Sequence, residues 1–256
     1  MQHVEKVNVI GSEISVATRE VALASIQDCL DNAAGSYACF VNAHVTVEAR
    51  HDESLREAVN KATFAFPDGM PVFLTARLKS AKRVEKISGP DFLQWVFADP
   101  QLRKRNHYFF GSTPETLEAL VKRLEKVFPG CNIVGWESPP FRPVSDAELA
   151  DSIDKMVQAR AELIWIGLGA PKQEVWMAKN FARLPNTLLL GVGAAFDFHA
   201  GVVRRAPVWM QKFGLEWLYR LLQEPRRLWK RYLVTNTLFV YHLLAGVIFG
   251  ARSHGQ

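Results

Sequence analysis

Short apolar runs, several of them ending in glycine, constrain this chain more than any other feature. They are KVNVIG (6–11), YACFVN (37–42), TFAF (63–66), HYFFG (107–111), NIVGW (132–136), ELIWIGLG (162–169) and TLLLGVG (187–193). Each has the length and the Val, Ile or Phe content of a buried strand, and unbroken apolar runs suit strands covered on both faces. Helical periodicity lies between them. PETLEALVKRLEKVF places Leu117, Leu120, Val121, Leu124 and Phe128 on one stripe, and DAELADSIDKMVQARA does the same with Leu149, Ile153 and Val157. Alternating strands and helices predict an α/β fold, a Rossmann-like, mostly parallel sheet flanked by helices. The chain has 256 residues, 48% of them hydrophobic, which is enough for a sizeable core.

Three strand ends share one design. HYFFGSTPE runs from strand through Gly111 to Pro114, which suits a first helical position, and Ser112 with Glu115 matches a capping box. IWIGLGAPKQE repeats the plan, with Pro171 opening a helix after Gly167 and Gly169, and LLLGVGAAFDF supplies a third glycine-rich end. In parallel sheets ligands bind at the carboxyl ends of strands, where helix N-termini offer N–H groups to phosphate. The loops at Gly111 and Gly169, with Lys172 and Gln173, therefore predict a nucleotide or diphosphate site. None has the GxGxxG spacing of a dinucleotide-binding turn, and GxxxxGK[ST] and GxSxG are both missing. A nicotinamide enzyme, a P-loop ATPase and an α/β-hydrolase all lose ground. Cys29, Cys39 and Cys131 lack CxxC spacing, so reduced thiols are expected, with no zinc site. Neither a metal nor a cofactor is expected.

Charge is unevenly placed. From Val202 to Arg231 eight basic residues face only Glu216 and Glu224, a local +6 in a chain of net charge +5. Such a segment predicts an anionic partner: phosphate, a membrane surface or nucleic acid. Arg220, Glu224, Arg227 and Arg231 would share one face of a continuous helix, which Pro225 breaks or kinks. Trp209, Trp217, Tyr219, Trp229 and Tyr232 are interspersed, as interfacial aromatics are. Residues 232–251 then form a twenty-residue run without a charge, by length just able to span a bilayer. The N-terminus lacks the apolar run of a secretory signal, which points to the cytoplasm.

The segments PDGMPV (67–72), RVEKISGPDF (83–92), IGLGAPKQE (166–174) and GVGAAFDFHAGVVRRAPVWMQKFGLEWLYRLLQEPRR (191–227) follow one another in order. Together they resemble the WecG/TagA/CpsF family of bacterial glycosyltransferases, over roughly residues 7 to 233. The resemblance implies transfer of a sugar from a UDP-sugar to an acceptor carried on polyprenyl diphosphate, with anomeric inversion and no metal. It implies work at the cytoplasmic face of the membrane, during cell-surface polysaccharide synthesis. It implies an α/β core, placed here at residues 1–205, and a helical appendage, 206–256, that completes the site at the membrane. N-acetylmannosamine, its uronic acid and glucose are the donor sugars it suggests. By the same resemblance Asp68 is the general base, Asn42 lies beside acceptor or donor, and Arg83 and Gln173 line the site. Arg220 and Arg227 grip the acceptor's diphosphate, and a further arginine falls on Lys230 or Arg231. Phe40 stands where the family often has threonine, two residues before Asn42.

Asp68 also stands out on its own. It follows TFAF and sits in a loop stiffened by Pro67 and Pro71, which reads either as an ordinary Pro-Asp-Gly turn or as a mount that holds a carboxylate partly dry. The competing expectations are a nucleic-acid-binding protein that uses the basic aromatic C-terminus, and a non-catalytic nucleotide-binding membrane scaffold. Nucleic acid is not the expected partner, because the basic residues lead into an apolar run. That run would also support self-association into a homo-oligomer.

Overall fold

The computed structural model describes residues 4–32 and 35–250, without the side chains of 246–250. The chain opens with β1 (Lys6–Val9), β2 (Ser12–Ser15), α1 (Arg19–Asp31), β3 (Ser36–Val41), α2 (Ala43–Glu48), α3 (Glu53–Lys61), β4 (Phe64–Pro67) and α4 (Met70–Lys79). Next come α5 (Gly89–Ala98), β5 (His107–Gly111), α6 (Pro114–Val127), β6 (Ile133–Glu137), α7 (Asp146–Gln158), β7 (Leu163–Gly167), α8 (Lys172–Asn180), β8 (Leu188–Gly191) and α9 (Ala195–Ala200). It closes with α10 (Val208–Lys212), α11 (Glu216–Gln223) and α12 (Pro225–Gly250).

Six of the apolar runs form one parallel sheet in the order β4-β3-β8-β7-β5-β6. Its pleat divides the core. Cys39, Val41, Ile164 and Leu189 face one side, whereas Ala38, Phe40, Trp165 and Leu190 face the other. Both faces are covered, which is why these strands read as continuous apolar runs. The run KVNVIG departs from expectation. It forms β1, which pairs antiparallel with β2 in a separate two-stranded sheet.

The loop after β5 differs in one detail from the expected cap. Thr113, not Ser112, caps α6, accepting from the Thr116 N–H, and Pro114 takes the first helical position. Ser112 lies instead at φ +59°, left-handed backbone that cannot serve as an N-cap. Gly111 at φ +121° runs so close to β7 that a Cβ there would lie 2.6 Å from the Gly167 carbonyl group. Gly111→Ala is therefore expected to destabilise the fold by roughly 1–3 kcal/mol. An unchanged midpoint of thermal unfolding would show that the two backbones part without cost.

The C-terminal helices sit where the strands end. α12 lies against α2, burying Leu228, Thr235 and Phe239. Of the expected 206–256 appendage, residues 251–256 lie outside the described residues, as do residues 1–3 of the expected core.

Candidate active site

Asp68 is delivered by β4, whose four residues are all buried. Its own N–H donates to the Val41 carbonyl at 2.9 Å, and the Ile87 N–H donates to the Pro67 carbonyl at 2.9 Å. The loop is thus pinned from both sides. Gly69 at φ +82° then turns the chain into α4. Among the described residues none hydrogen-bonds the Asp68 carboxyl, which lines a cleft of about 820 Å³. Asp68 keeps some exposed surface, yet burial pushes its pKa up from 3.8 to about 7. Glu216 and Asp91 push in the same direction, and Lys86 and Arg205 oppose them.

The cleft opens at the carboxyl ends of β3, β4, β7 and β8, the end where parallel sheets bind ligands. α11 and α12 close its far side with Arg220, Arg227 and Arg231. The helix breaks at Pro225, as its proline requires, and the three arginines still reach the same cavity from two helices. The Arg220 guanidinium lies over the Phe198 ring, 5.5 Å from its centroid, and Arg227 pairs with Glu224. Arg205 anchors this wall. It holds Asp91 through two bonds of 2.5 and 3.0 Å and Glu216 through one of 3.0 Å. Asp91 lies in the first turn of α5 and Glu216 begins α11, so one half-buried arginine ties the helical wall to the core.

The model of the Glycosyl transferase WecG/TagA/CpsF family matches residues 7–253. The chain belongs to this family. It is similar to an N-acetylglucosaminyldiphosphoundecaprenol N-acetyl-beta-D-mannosaminyltransferase of Bacillus spizizenii, with 28% identity over 207 residues, 80% of this chain and 77% of the relative. A Bacillus subtilis protein of the same description is 27% identical over 204 residues, again 80% and 77% of the two chains. Membership of the family makes the chain a glycosyltransferase.

Within this glycosyltransferase, seven of the expected site residues meet in the cleft: Asp68, Asn42, Gly169, Gln173, Arg220, Arg227 and Arg231. Arg83 does not. It is largely exposed and paired with Glu85 at 2.7 Å. Lys86, three residues on, turns inward instead and faces Asp68. Lys172 is exposed at the start of α8, outside the lining, and Gly111 supports the floor from behind. Of the two candidates for the last arginine position, Arg231 lines the cleft and Lys230 is exposed.

Sequence reasoning passed over Lys86, the Asp91–Arg205–Glu216 set, Phe141 and Glu174. Lys86 and Asp91 both lie within RVEKISGPDF, where the family resemblance points to Arg83. Asp197 lines the cleft, and burial raises its carboxyl pKa while Arg220 and Arg227 oppose the shift. Phe141 stands exposed at the cleft mouth, on the loop after β6. Glu174 is fully buried beneath the floor, and burial pushes its pKa to about 7. Among the described residues no cluster of three His, Cys, Asp or Glu side chains is arranged to hold a metal ion.

Proposed function

We propose that this glycosyltransferase moves a sugar from a UDP-sugar to an acceptor sugar carried on polyprenyl diphosphate, with inversion at the anomeric carbon. One observation carries the reading: a carboxyl raised to about 7, without a hydrogen-bond partner among the described residues, shares a cleft with three arginines. In the proposed reaction the acceptor hydroxyl attacks the anomeric carbon and gives its proton to Asp68. The bond from that carbon to the β-phosphate oxygen breaks, and UDP leaves with the electron pair. Lys86 and the loop at Gly169 face the leaving diphosphate, and Phe141 offers a ring face to its base. Arg220, Arg227 and Arg231 hold the acceptor's own diphosphate. The names of the Bacillus relatives support this, since both describe a diphosphoundecaprenol acceptor. N-acetylmannosamine, its uronic acid and glucose are the donor sugars to screen. The test is a panel of UDP-sugars with synthetic prenyl-diphosphate monosaccharide and disaccharide acceptors. Formation of a lipid-linked product with release of UDP is expected, and an inert panel would overturn the reading.

We assign the outward side of α10 and α12 to the cytoplasmic face of the membrane, not to a second copy of the chain. No helix among the described residues is long and apolar enough to cross a bilayer. Trp209, Phe213, Trp229, Leu233 and Tyr241 are nonetheless exposed, and Arg226 and Lys230 lie among them. Exposed aromatics mixed with cations suit a lipid–water boundary. Co-flotation with vesicles rich in anionic lipid is expected at low salt, weakening as salt rises. Full-length protein that stays unbound at every salt concentration would contradict the assignment.

A further inference from the structure

Helix α4 runs from the catalytic loop to the protein surface. Its first residues, Met70 and Pro71, line the cleft immediately after Asp68 and Gly69. Val72, Thr75 and Ala76 are buried against the body of the protein. The opposite side is bare. Leu74 is 45% exposed, and Leu78, one turn further on, is 87% exposed. Met70, Leu74 and Leu78 recur every four residues, so they share one stripe about 12 Å long. A leucine this open contributes nothing to the core.

α10 meets this stripe. Trp209 and Phe213, also four residues apart, are both exposed. Directly after them Gly214 packs on α4, so closely that a Cβ there would lie 2.3 Å from Met70 Cγ. Lys86 Nζ approaches the Gln211 carbonyl oxygen at 3.5 Å, which keeps α10 beside the segment that follows α4. Trp209, Phe213, Leu74 and Leu78 therefore follow one another across the Met70–Gly214 contact. Cations flank them. Residues 69–84 carry Arg77, Lys79, Lys82 and Arg83 and no acidic residue. Glu5 pairs with Lys82 at 2.9 Å and Glu85 with Arg83 at 2.7 Å. Arg77 and Lys79 are left without an acidic partner among the described residues; Lys79 donates to the Asn8 carbonyl.

We propose that α4 is a second lipid-contacting element, with Leu74 and Leu78 seated in the membrane surface beside Trp209 and Phe213. This rests on the membrane assignment made above for α10 and α12, and it extends that assignment to the helix that carries the catalytic loop. Exposed leucines ringed by uncompensated cations match acyl chains under anionic headgroups. A second copy of the chain fits worse, because a two-fold contact through this ridge brings the cations of both copies together. The consequence is positional. With its last turn among headgroups and its first turn lining the cleft, α4 holds Asp68 at the boundary where a lipid-borne sugar stands.

Two measurements on the full-length chain test this. The first is flotation of wild type and Leu74→Ser/Leu78→Ser with vesicles of phosphatidylcholine and phosphatidylglycerol. The variant is expected to bind about 10- to 100-fold more weakly, because two leucine side chains lose an apolar environment. Its kcat/KM should fall by a similar factor for an acceptor on a long prenyl chain in those vesicles, and hold for a short, water-soluble one. The second measurement places a nitrobenzoxadiazole label on Leu78→Cys in a Cys131→Ser background, Cys29 and Cys39 being buried. Its emission should shift to the blue when vesicles are added. The same label on Val127→Cys, on the helix beside the far edge strand β6, should not respond. Equal vesicle binding by variant and wild type, or an unmoved label at position 78, overturns the role of α4 while the membrane assignment stands. Equal losses with both acceptors would make the leucines structural and overturn it as well. A variant that changes from oligomer to monomer with vesicle binding intact would give the ridge to a second copy. Wild type that binds no vesicle at any salt concentration overturns both the assignment and its extension.

Discussion

Replacing Asp68 by Asn is expected to leave the fold intact and slow sugar transfer by about 10²-fold or more. The amide has the same shape and fits the loop held by the bonds of 2.9 Å to Val41 and from Ile87, both of which use backbone groups only. What is lost is the lone pair that takes the acceptor's proton. Stability should move the other way. The folded pKa lies above the ordinary 3.8, so between these values the folded state binds more protons than the unfolded chain. Stability is therefore lost as pH rises through that window, and the charged carboxylate is a burden at pH 8. Asn carries no such burden, so the variant should unfold at the same temperature as wild type or higher. UDP release with the lipid acceptor, measured beside thermal unfolding, checks both halves. Near-normal turnover would remove Asp68 from the mechanism.

The double variant Arg220→Ala/Arg227→Ala should lose roughly 10²- to 10³-fold in kcat/KM for the lipid acceptor. Each arginine is expected to make charge-assisted bonds to the acceptor's diphosphate, worth about 1.5–3 kcal/mol apiece when dry. Arg227 is the more exposed and already paired with Glu224, so its share lies at the lower end. The loss should fall on the acceptor's KM, with the donor's KM nearly unchanged. Raising salt should narrow the gap between variant and wild type, because screened phosphates gain less from the arginines. A rise in the donor's KM instead would move these arginines to the UDP.

Much of the sheet was legible because its strands are apolar on both faces, and that pattern does not depend on partners. KVNVIG misled because its hairpin turn is unusual. Ile10 and Gly11 take φ +46° and +96°, a turn normally signalled by Asn-Gly, and a β-branched residue hides it. Asp68 could be singled out only with the ordered motifs around it, since a Pro-Asp-Gly stretch by itself also reads as a plain turn. The choice between Arg83 and Lys86 could not be read, because both lie in one extended segment and only packing decides which turns inward. Arg205 was hidden for another reason: its partner Asp91 lies 114 residues away.

The pH dependence of kcat/KM for the acceptor in the wild-type enzyme probes the dry carboxylate most directly. Only the ionised form takes a proton, so the rate should climb from pH 5 to pH 8 with its midpoint near the value of about 7 set by burial. A rate already flat across that range, with its midpoint near 4, would mean an aspartate in contact with bulk water.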